Sequence, residues 1–377
     1  MKAAETVTER AGRGRTHPAV GYLLALVCWC LLPLAGSAAP GPAIDDAPAD
    51  TQAMTQCLAG PGWTRGDIGF VRGINLAGGE FNPDRLPGQY GKDYRYPSEA
   101  QLEYYSKNGF DVVRLPFLWE RLQPRMFGAL DDEEVRRVLS VIEKARQHGM
   151  RVILDPHNYA RYHLDGKAHV IGSAAVPVGA FIDFWRRLAH VVSGIPGIYA
   201  LSLMNEPHDT GKLWRSAAQE AVDAIRGEDR VHLILAPGDY WSGAWSWRKY
   251  NDDFLLRDPA DKLVYEAHQY FDPDRSGAYR DDRAPAPETD YVDLVTPFVS
   301  WLNMHHVRGV ITEVGVPSWR PAWFDQFDRL LTWLSANQIA WVYWAGGYWP
   351  ANYVLSSEPK GDVDAPIMRI LTRCRPS

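Results

Sequence analysis

Two glutamates stand where this chain could carry acid–base or nucleophilic chemistry. Glu206 closes the apolar run Leu201-Ser202-Leu203-Met204-Asn205-Glu206-Pro207, and Glu313 closes Val310-Ile311-Thr312-Glu313. A buried strand reads this way, with a short apolar stretch followed by polar groups where the strand emerges. Pro207 ends regular pairing because it has no N–H to give a neighbouring strand. A carboxyl at such a strand end either caps the next helix or sits where barrel enzymes keep their chemistry. Two carboxyls facing each other across a cleft suit cleavage of a glycosidic bond. One is protonated to assist the leaving oxygen; the other is ionised, to attack the anomeric carbon or activate water. Their neighbours must push the two pKa values apart.

The elements that would position these acids repeat along the chain. Short apolar, β-branched runs fall at residues 70–76, 111–116, 151–156, 198–206, 231–237, 263–270, 310–313 and 339–345. Helix-like patterns fall between them, at 98–107, 132–148, 178–192, 211–226, 290–306 and 321–337. Apolar strands alternating with helices imply a parallel sheet covered on both faces. Eight such units predict an α/β fold, a single (β/α)8 TIM barrel with enlarged βα loops over residues 66–377. A doubly wound open sheet is the alternative, but Gly73-Ile74-Asn75-Leu76-Ala77-Gly78-Gly79 is not the phosphate-binding fingerprint such a sheet carries.

In a barrel the strand C-termini share one face. That face collects Arg114, His157, Asn205, Glu206, Trp241, His268, Tyr270, Glu313 and Trp344. Arg114 and Tyr270 are suited to hold one carboxylate ionised, and apolar surroundings would raise the other. Trp344 offers a ring face to a sugar. Tyr159 and Trp241 are further stacking candidates, each as well explained by packing. His157 and His268 lack the spacing of a zinc site. No metal, nucleotide or prosthetic group is implied.

Composition narrows the rest. Lys2, Arg10, Arg13 and Arg15 precede an apolar run at 20–35 and the small residues Gly36-Ser37-Ala38-Ala39, which reads as a secretory signal over residues 1–39. An uncleaved anchor is the rival, but the run is short for a span and Pro33 interrupts it. Removing that segment takes away those four cations together with Glu5 and Glu9, so the net charge of −6 becomes −8. An acidic chain without a basic run argues against nucleic acid and against an anionic membrane surface. Residues 40–65 are expected to be a flexible lead segment. Cys57 and Cys374 remain, and in an exported chain such a pair is most simply a disulfide; two unrelated buried thiols is the other reading. The expected product is a secreted or periplasmic monomer.

The ordered set of motifs resembles glycoside hydrolase family 5, the cellulase family. The matching stretches are Val112-Val113-Arg114-Leu115-Pro116, Asp155-Pro156-His157-Asn158-Tyr159, Met204-Asn205-Glu206-Pro207-His208-Asp209, His268-Gln269-Tyr270, Thr312-Glu313 and Tyr343-Trp344. The resemblance implies that Glu206 is the acid/base and Glu313 the nucleophile of a retaining mechanism. It implies that Asn205 binds the sugar 2-hydroxyl and that Arg114 and Tyr270 orient Glu313. His157 and His268 would bind sugar hydroxyls and neighbouring acids, and Trp344 would be the glycone platform. Finer matches, such as Pro237-Gly238 followed by Trp241-Ser242-Gly243-Ala244, are similar to the endo-β-1,4-glucanase branch. Trp245, where a smaller or polar residue is expected, and Arg275, Arg280 and Arg283 after the sixth strand depart from what that branch leads one to expect; arginines near the cleft could favour an acidic or decorated polysaccharide, but such residues are more often solvated surface. The expected substrate is a cellulose-like β-glucan. Another β-linked polysaccharide, such as mannan, mixed-linkage glucan or a bacterial exopolysaccharide, stays open as the alternative, as does a non-catalytic carbohydrate-binding barrel.

Overall fold

The computed structural model describes residues 72–280 and 289–373. The signal at 1–39, the lead segment at 40–65, Cys57 and Cys374 lie outside the described residues.

Eight strands close a parallel barrel in chain order: β1 (Arg72–Ala77), β2 (Val112–Phe117), β3 (Arg151–Pro156), β4 (Ile198–Ser202), β5 (Leu233–Pro237), β6 (Leu263–Tyr270), β7 (Gly309–Gly315) and β8 (Ala340–Gly347). The main covering helices are α1 (Glu99–Lys107), α2 (Asp132–Gln147), α3 (Val178–Val192), α4 (Trp214–Glu228), α5 (Tyr291–His305) and α6 (Phe324–Ala336). The expected (β/α)8 barrel is the observed fold. Local chemistry starts several of these helices. Ser98 and Gln101 form a reciprocal capping box at α1, and the carboxylates of Asp131 and Asp290 accept from the first N–H groups of α2 and α5. The enlarged loop after β3 carries a hairpin, Arg161–Leu164 paired with Lys167–Val170.

Alternation along the strands builds the barrel interior in layers. At the N-terminal end, Val112, Ile153, Ala200, Leu235, Val264, Val310 and Val342 form an apolar plug. Side chains in a strand recur on one face every second residue. Two residues further along, the same faces present Arg114, Asp155, Ser202, Glu266, Thr312 and Trp344. The hydrophobic plug and the polar layer above it are therefore one pattern read along the strands.

Strand boundaries differ from the sequence reading by a few residues, and two of these differences shape the site. Strand β4 stops at Ser202, four residues before Glu206. The chain still runs beside its neighbours there, with Leu203 N–H donating to Leu235 O at 3.0 Å and Asn205 N–H to Pro156 O at 2.9 Å. Glu206 then turns into the left-handed region at φ 40, which breaks strand geometry before Pro207 can. Strand β7 runs past Glu313 to Gly315. Its pairing skips a residue: Ala267 faces Ile311, but His268 faces Glu313. The extra residue, Thr312, is a bulge, and bulges re-aim side chains. Both Thr312 and Glu313 reach the site in consequence.

Closure depends on a close approach between β1 and β8. Gly347 pairs with Ala77 at φ +104, and a Cβ there would drive into the Ala77 backbone. Gly347→Ala should cost about 1–3 kcal/mol through strain and overpacking. A thermal melt should show a midpoint lowered by several degrees. An unchanged midpoint would mean that closure tolerates the extra atom.

Candidate active site

Arg114 rises from β2 into the polar layer and is fully buried. Its Nη1 donates to Glu313 Oε1 at 2.7 Å and to Asn75 Oδ1 at 3.0 Å. Its Nη2 donates to Asn205 Oδ1 at 2.9 Å and lies 3.1 Å from Asp155 Oδ2 and 3.4 Å from Glu266 Oε1. One guanidinium thus serves three carboxylates and two amides, drawn from five strands or strand ends. An unpaired cation in such a place would be prohibitively costly. The surrounding acids reverse that, and hold Arg114 charged.

Glu313 takes its second bond from Tyr270, whose hydroxyl donates to Oε2 at 2.7 Å. Burial pushes the Glu313 carboxyl up, but the charges of His268, Arg114 and His157 and the Tyr270 hydroxyl hold it below its ordinary value. Both partners expected from the sequence therefore fall on the same carboxylate.

His268 bridges the two glutamates. Its Nδ1 is 2.9 Å from Glu206 Oε1 and 3.6 Å from Glu313 Oε2. Its Nε2 is 3.1 Å from Thr312 Oγ1. Thr312 has one hydroxyl proton, and Oγ1 donates it to Glu266 Oε1 at 2.6 Å. Oγ1 must then accept from His268, so Nε2 carries a proton. Burial disfavours the imidazolium, but Glu313, Glu206 and Glu266 outweigh this and raise the pKa to about 10. One carboxylate oxygen of Glu206 and one of Glu313 lie within 4.8 Å of each other, with His268 inside the same radius. Retaining glycosidases hold their two carboxyls about 5–5.5 Å apart and inverting ones about 6.5–9.5 Å apart. So close an approach of the two carboxylates is in keeping with the shorter spacing.

Asn205 is oriented from both ends. Its oxygen accepts from Arg114, and its Nδ2 sits 3.1 Å from His157 Nε2. His157 Nδ1 lies 2.7 Å from Asp155 Oδ2. Burial lowers the His157 pKa, and Asp155 more than offsets it, so the net direction is up. Trp344 stacks on His157 at 5.4 Å between centroids, and its indole N–H donates to the Tyr353 hydroxyl at 2.8 Å. The ring built from Arg114, His157, Asn205, Glu206, His268, Tyr270, Glu313 and Trp344 is thus contiguous.

Tyr159 and Trp241 are not part of that bonded ring. Tyr159 meets His157 edge-on at 5.3 Å, and Trp241 stacks on His208 at 4.4 Å. Both rings are more than one-third exposed, at 37% and 39%. They sit at the rim, where a ring face is free to meet a ligand.

Sequence reasoning overlooked the layer beneath. Glu266 is buried and accepts from Ser202 at 2.6 Å as well as from Thr312. The signal was present: Glu266, His268 and Tyr270 alternate along one strand and share its inward face. Asn75 was likewise missed; its Nδ2 donates to Thr312 O at 2.9 Å and Tyr343 O at 3.1 Å. It is the only polar side chain in the apolar strand β1, apart from Arg72 at its start.

Fold and site together define a barrel glycosidase with paired glutamates. Residues 73–349 match the family model for the cellulases, glycosyl hydrolase family 5. The chain is 33% identical over 297 residues to a probable endo-beta-1,4-glucanase B of Neosartorya fischeri, covering 76% of this chain and 85% of that one. It is 31% identical over 300 residues to endoglucanase 3 of Humicola insolens, covering 77% and 74%. Among solved structures, an endoglucanase of Pseudomonas stutzeri in complex with cellobiose superposes with a TM-score of 0.77 at 40% identity, over 83% of this chain and 95% of that one. An endo-beta-1,4-glucanase of Xanthomonas axonopodis pv. citri gives 0.74 at 34% identity, over 80% and 97%. The chain belongs to glycoside hydrolase family 5.

Arg114→Met tests the electrostatic keystone. It leaves Glu313, Glu266 and Asp155 without their shared cation, which should cost about 3–5 kcal/mol at neutral pH. Glu313 and Glu266 both have folded pKa values below their ordinary ones. A depressed carboxyl stabilises the fold above its unfolded pKa and loses that contribution as pH falls through the folded one. The difference in melting midpoint between wild type and variant should be widest near pH 7 and narrow steadily below about pH 4.3. A gap independent of pH would argue that Arg114 acts through packing alone.

Proposed function

We propose that this chain is an exported retaining endo-β-1,4-glucanase whose nucleophile is Glu313 and whose acid/base is Glu206. The observation that carries the reading is the asymmetry between two carboxyls held within 4.8 Å. Glu313 is ionised and aimed by Arg114 and Tyr270 from below. Glu206 lies nearer the rim, with its side chain 17% exposed, where a leaving oxygen can reach it.

In this mechanism Glu313 attacks the anomeric carbon as Glu206 protonates the departing oxygen, giving a covalent glycosyl-enzyme. Glu206 then takes a proton from water, and the water oxygen displaces Glu313. The proton that matters lies in the 2.9 Å contact between His268 Nδ1 and Glu206 Oε1. Thr312 keeps the other ring nitrogen protonated, so this contact is the place where a proton can pass between ring and carboxyl. Asn205, with its oxygen fixed by Arg114, directs its amide hydrogens toward His157 and the cleft, where a sugar 2-hydroxyl would strengthen its bond in the transition state. Trp344 supplies the ring face for the glycone sugar, and Trp241 and Tyr159 supply rim contacts. The endo-β-1,4-glucanases among the fungal and bacterial relatives support β-1,4-glucan as the substrate.

Export rests on residues 1–39. Among the described residues no helix is long and apolar enough to cross a membrane. A Cys57–Cys374 disulfide and a monomeric state are part of the same proposal.

The test is kinetic. Glu313→Gln should abolish release of reducing ends from carboxymethylcellulose, by at least about a thousandfold, because the covalent step has no substitute. Glu206→Ala should slow polysaccharide cleavage far more than glycosylation by an aryl cellobioside with a good leaving group, which needs little acid assistance. Equal losses on the two substrates would remove Glu206 from the acid/base role. Wild-type activity in Glu313→Gln would sink the whole reading.

A further inference from the structure

Glu313 is aimed by its side-chain bonds, but Glu206 is not. Among the described residues the Glu206 carboxyl bonds only to His268, at 2.9 Å. Its place therefore depends on its backbone, which has left β4 and stands in the left-handed region at φ 40. Asp209, three residues on, is left-handed as well, at φ 52. Backbone of this kind persists only where the surroundings enforce it.

Two donors hold the carbonyls that follow Glu206. The Trp241 backbone N–H donates to Pro207 O at 2.9 Å, and Arg161 Nη1 donates to His208 O at 3.2 Å. Arg161 Nη1 also donates to Tyr159 O, which ties the loop after β3 to the loop after β4. The same guanidinium lies against the His208 ring. Its Nη1 is 3.1 Å from Nε2 and its Nη2 3.2 Å from Nδ1. The Trp241 indole, on the loop after β5, stacks on that ring at 4.4 Å and 14°. Burial lowers the His208 pKa, and Arg161 lowers it further; Asp209 and Glu206 only partly offset this. A neutral imidazole keeps a lone pair for the guanidinium.

Arg161 has a firm base from which to do this. It opens the hairpin after β3, and its N–H donates to Asn158 O at 2.8 Å. The next two residues anchor into the protein: the Tyr162 hydroxyl donates to Gln123 O at 2.8 Å, and the His163 N–H to the buried Glu120 carboxylate at 2.6 Å. The Arg161 side chain is itself only 17% exposed. Trp241 is held in a stretch of three left-handed residues, Tyr240, Trp241 and Ser242, at φ 60, 56 and 53. Three loops thus converge on the residues directly after Glu206.

We propose that Arg161 is a positioning residue for the acid/base: by clamping the His208 carbonyl and ring to the loop after β3, it holds the turn at Glu206 so that the carboxyl meets the leaving oxygen. Arg114 serves the nucleophile in the same sense, but by direct bonds to the carboxylate. The clamp rests on the acid/base reading of Glu206 above.

The test compares cellopentaose, whose sugar leaving group needs a proton, with 2,4-dinitrophenyl cellobioside, whose leaving group departs as an anion. The readout is the ratio of the two kcat/KM values, with Glu206→Ala setting the scale for complete loss of acid assistance. Arg161→Met should lower the ratio about tenfold or more, because misplacing a reacting group by about 1 Å costs on the order of a hundredfold. The loss should fall on kcat for cellopentaose, with KM unchanged. Arg161→Lys keeps the cation but has one nitrogen in place of a planar fork, so its ratio should also stay low; as the milder change it gives the same readout if the methionine variant does not fold. Full restoration by lysine would assign the effect to charge alone and overturn the proposal. So would an unchanged ratio in Arg161→Met, or a parallel loss on both substrates in protein that still melts cooperatively, which is what an arginine important only for the fold would give. Equal losses on the two substrates in Glu206→Ala would instead overturn the acid/base assignment beneath the clamp.

Discussion

The interior of this barrel depends on one buried guanidinium. Arg114 bonds or faces Glu313, Asp155, Glu266, Asn205 and Asn75. Taking so many carboxylates out of water is affordable only because a cation stands among them. The arrangement has a directional result. Arg114 fixes one oxygen of Glu313, Tyr270 fixes the other, and the carboxylate faces the cleft without freedom to rotate. Stability and reactivity are thus set by the same contacts: the charges that let the polar layer exist are those that keep Glu313 ionised.

A second layer of order comes from proton bookkeeping. Ser202 and Thr312 both spend their hydroxyl protons on Glu266. That assignment forces a proton onto His268 Nε2 and leaves Nδ1 to face Glu206. Glu266 lies beneath the two glutamates and, through Thr312, fixes a proton on the Nε2 of the histidine between them. The chain from Glu266 through Thr312 and His268 to Glu206 is continuous and almost wholly buried.

The sequence carried more of the active ring than of its support. Arg114, Glu206, Glu313, His268 and Tyr270 were legible because each is polar at the end of an apolar run. Glu266 and Asn75 were not, because a polar residue inside an apolar run looks like an exception until the strands around it are known. Both acids were placed at strand ends. The structure puts Glu206 four residues beyond β4 and Glu313 two residues inside β7. Periodicity identifies a strand but does not say where pairing stops, which neighbouring hydrogen bonds decide.

By itself the sequence determined the fold class and the chemistry. Eight apolar runs alternating with helical stretches leave few arrangements other than a closed parallel barrel, and the residue types at the strand ends suit two-carboxylate catalysis. Tertiary structure alone decided how those residues meet. The bulge at Thr312 turns two consecutive residues toward the cleft, against the strict alternation of a strand. The left-handed backbone at Glu206 and at residues 240–242 aims side chains that propensity would point elsewhere. Both are imposed by contacts from distant segments, and no local pattern in a chain encodes a constraint that exists only when the barrel closes.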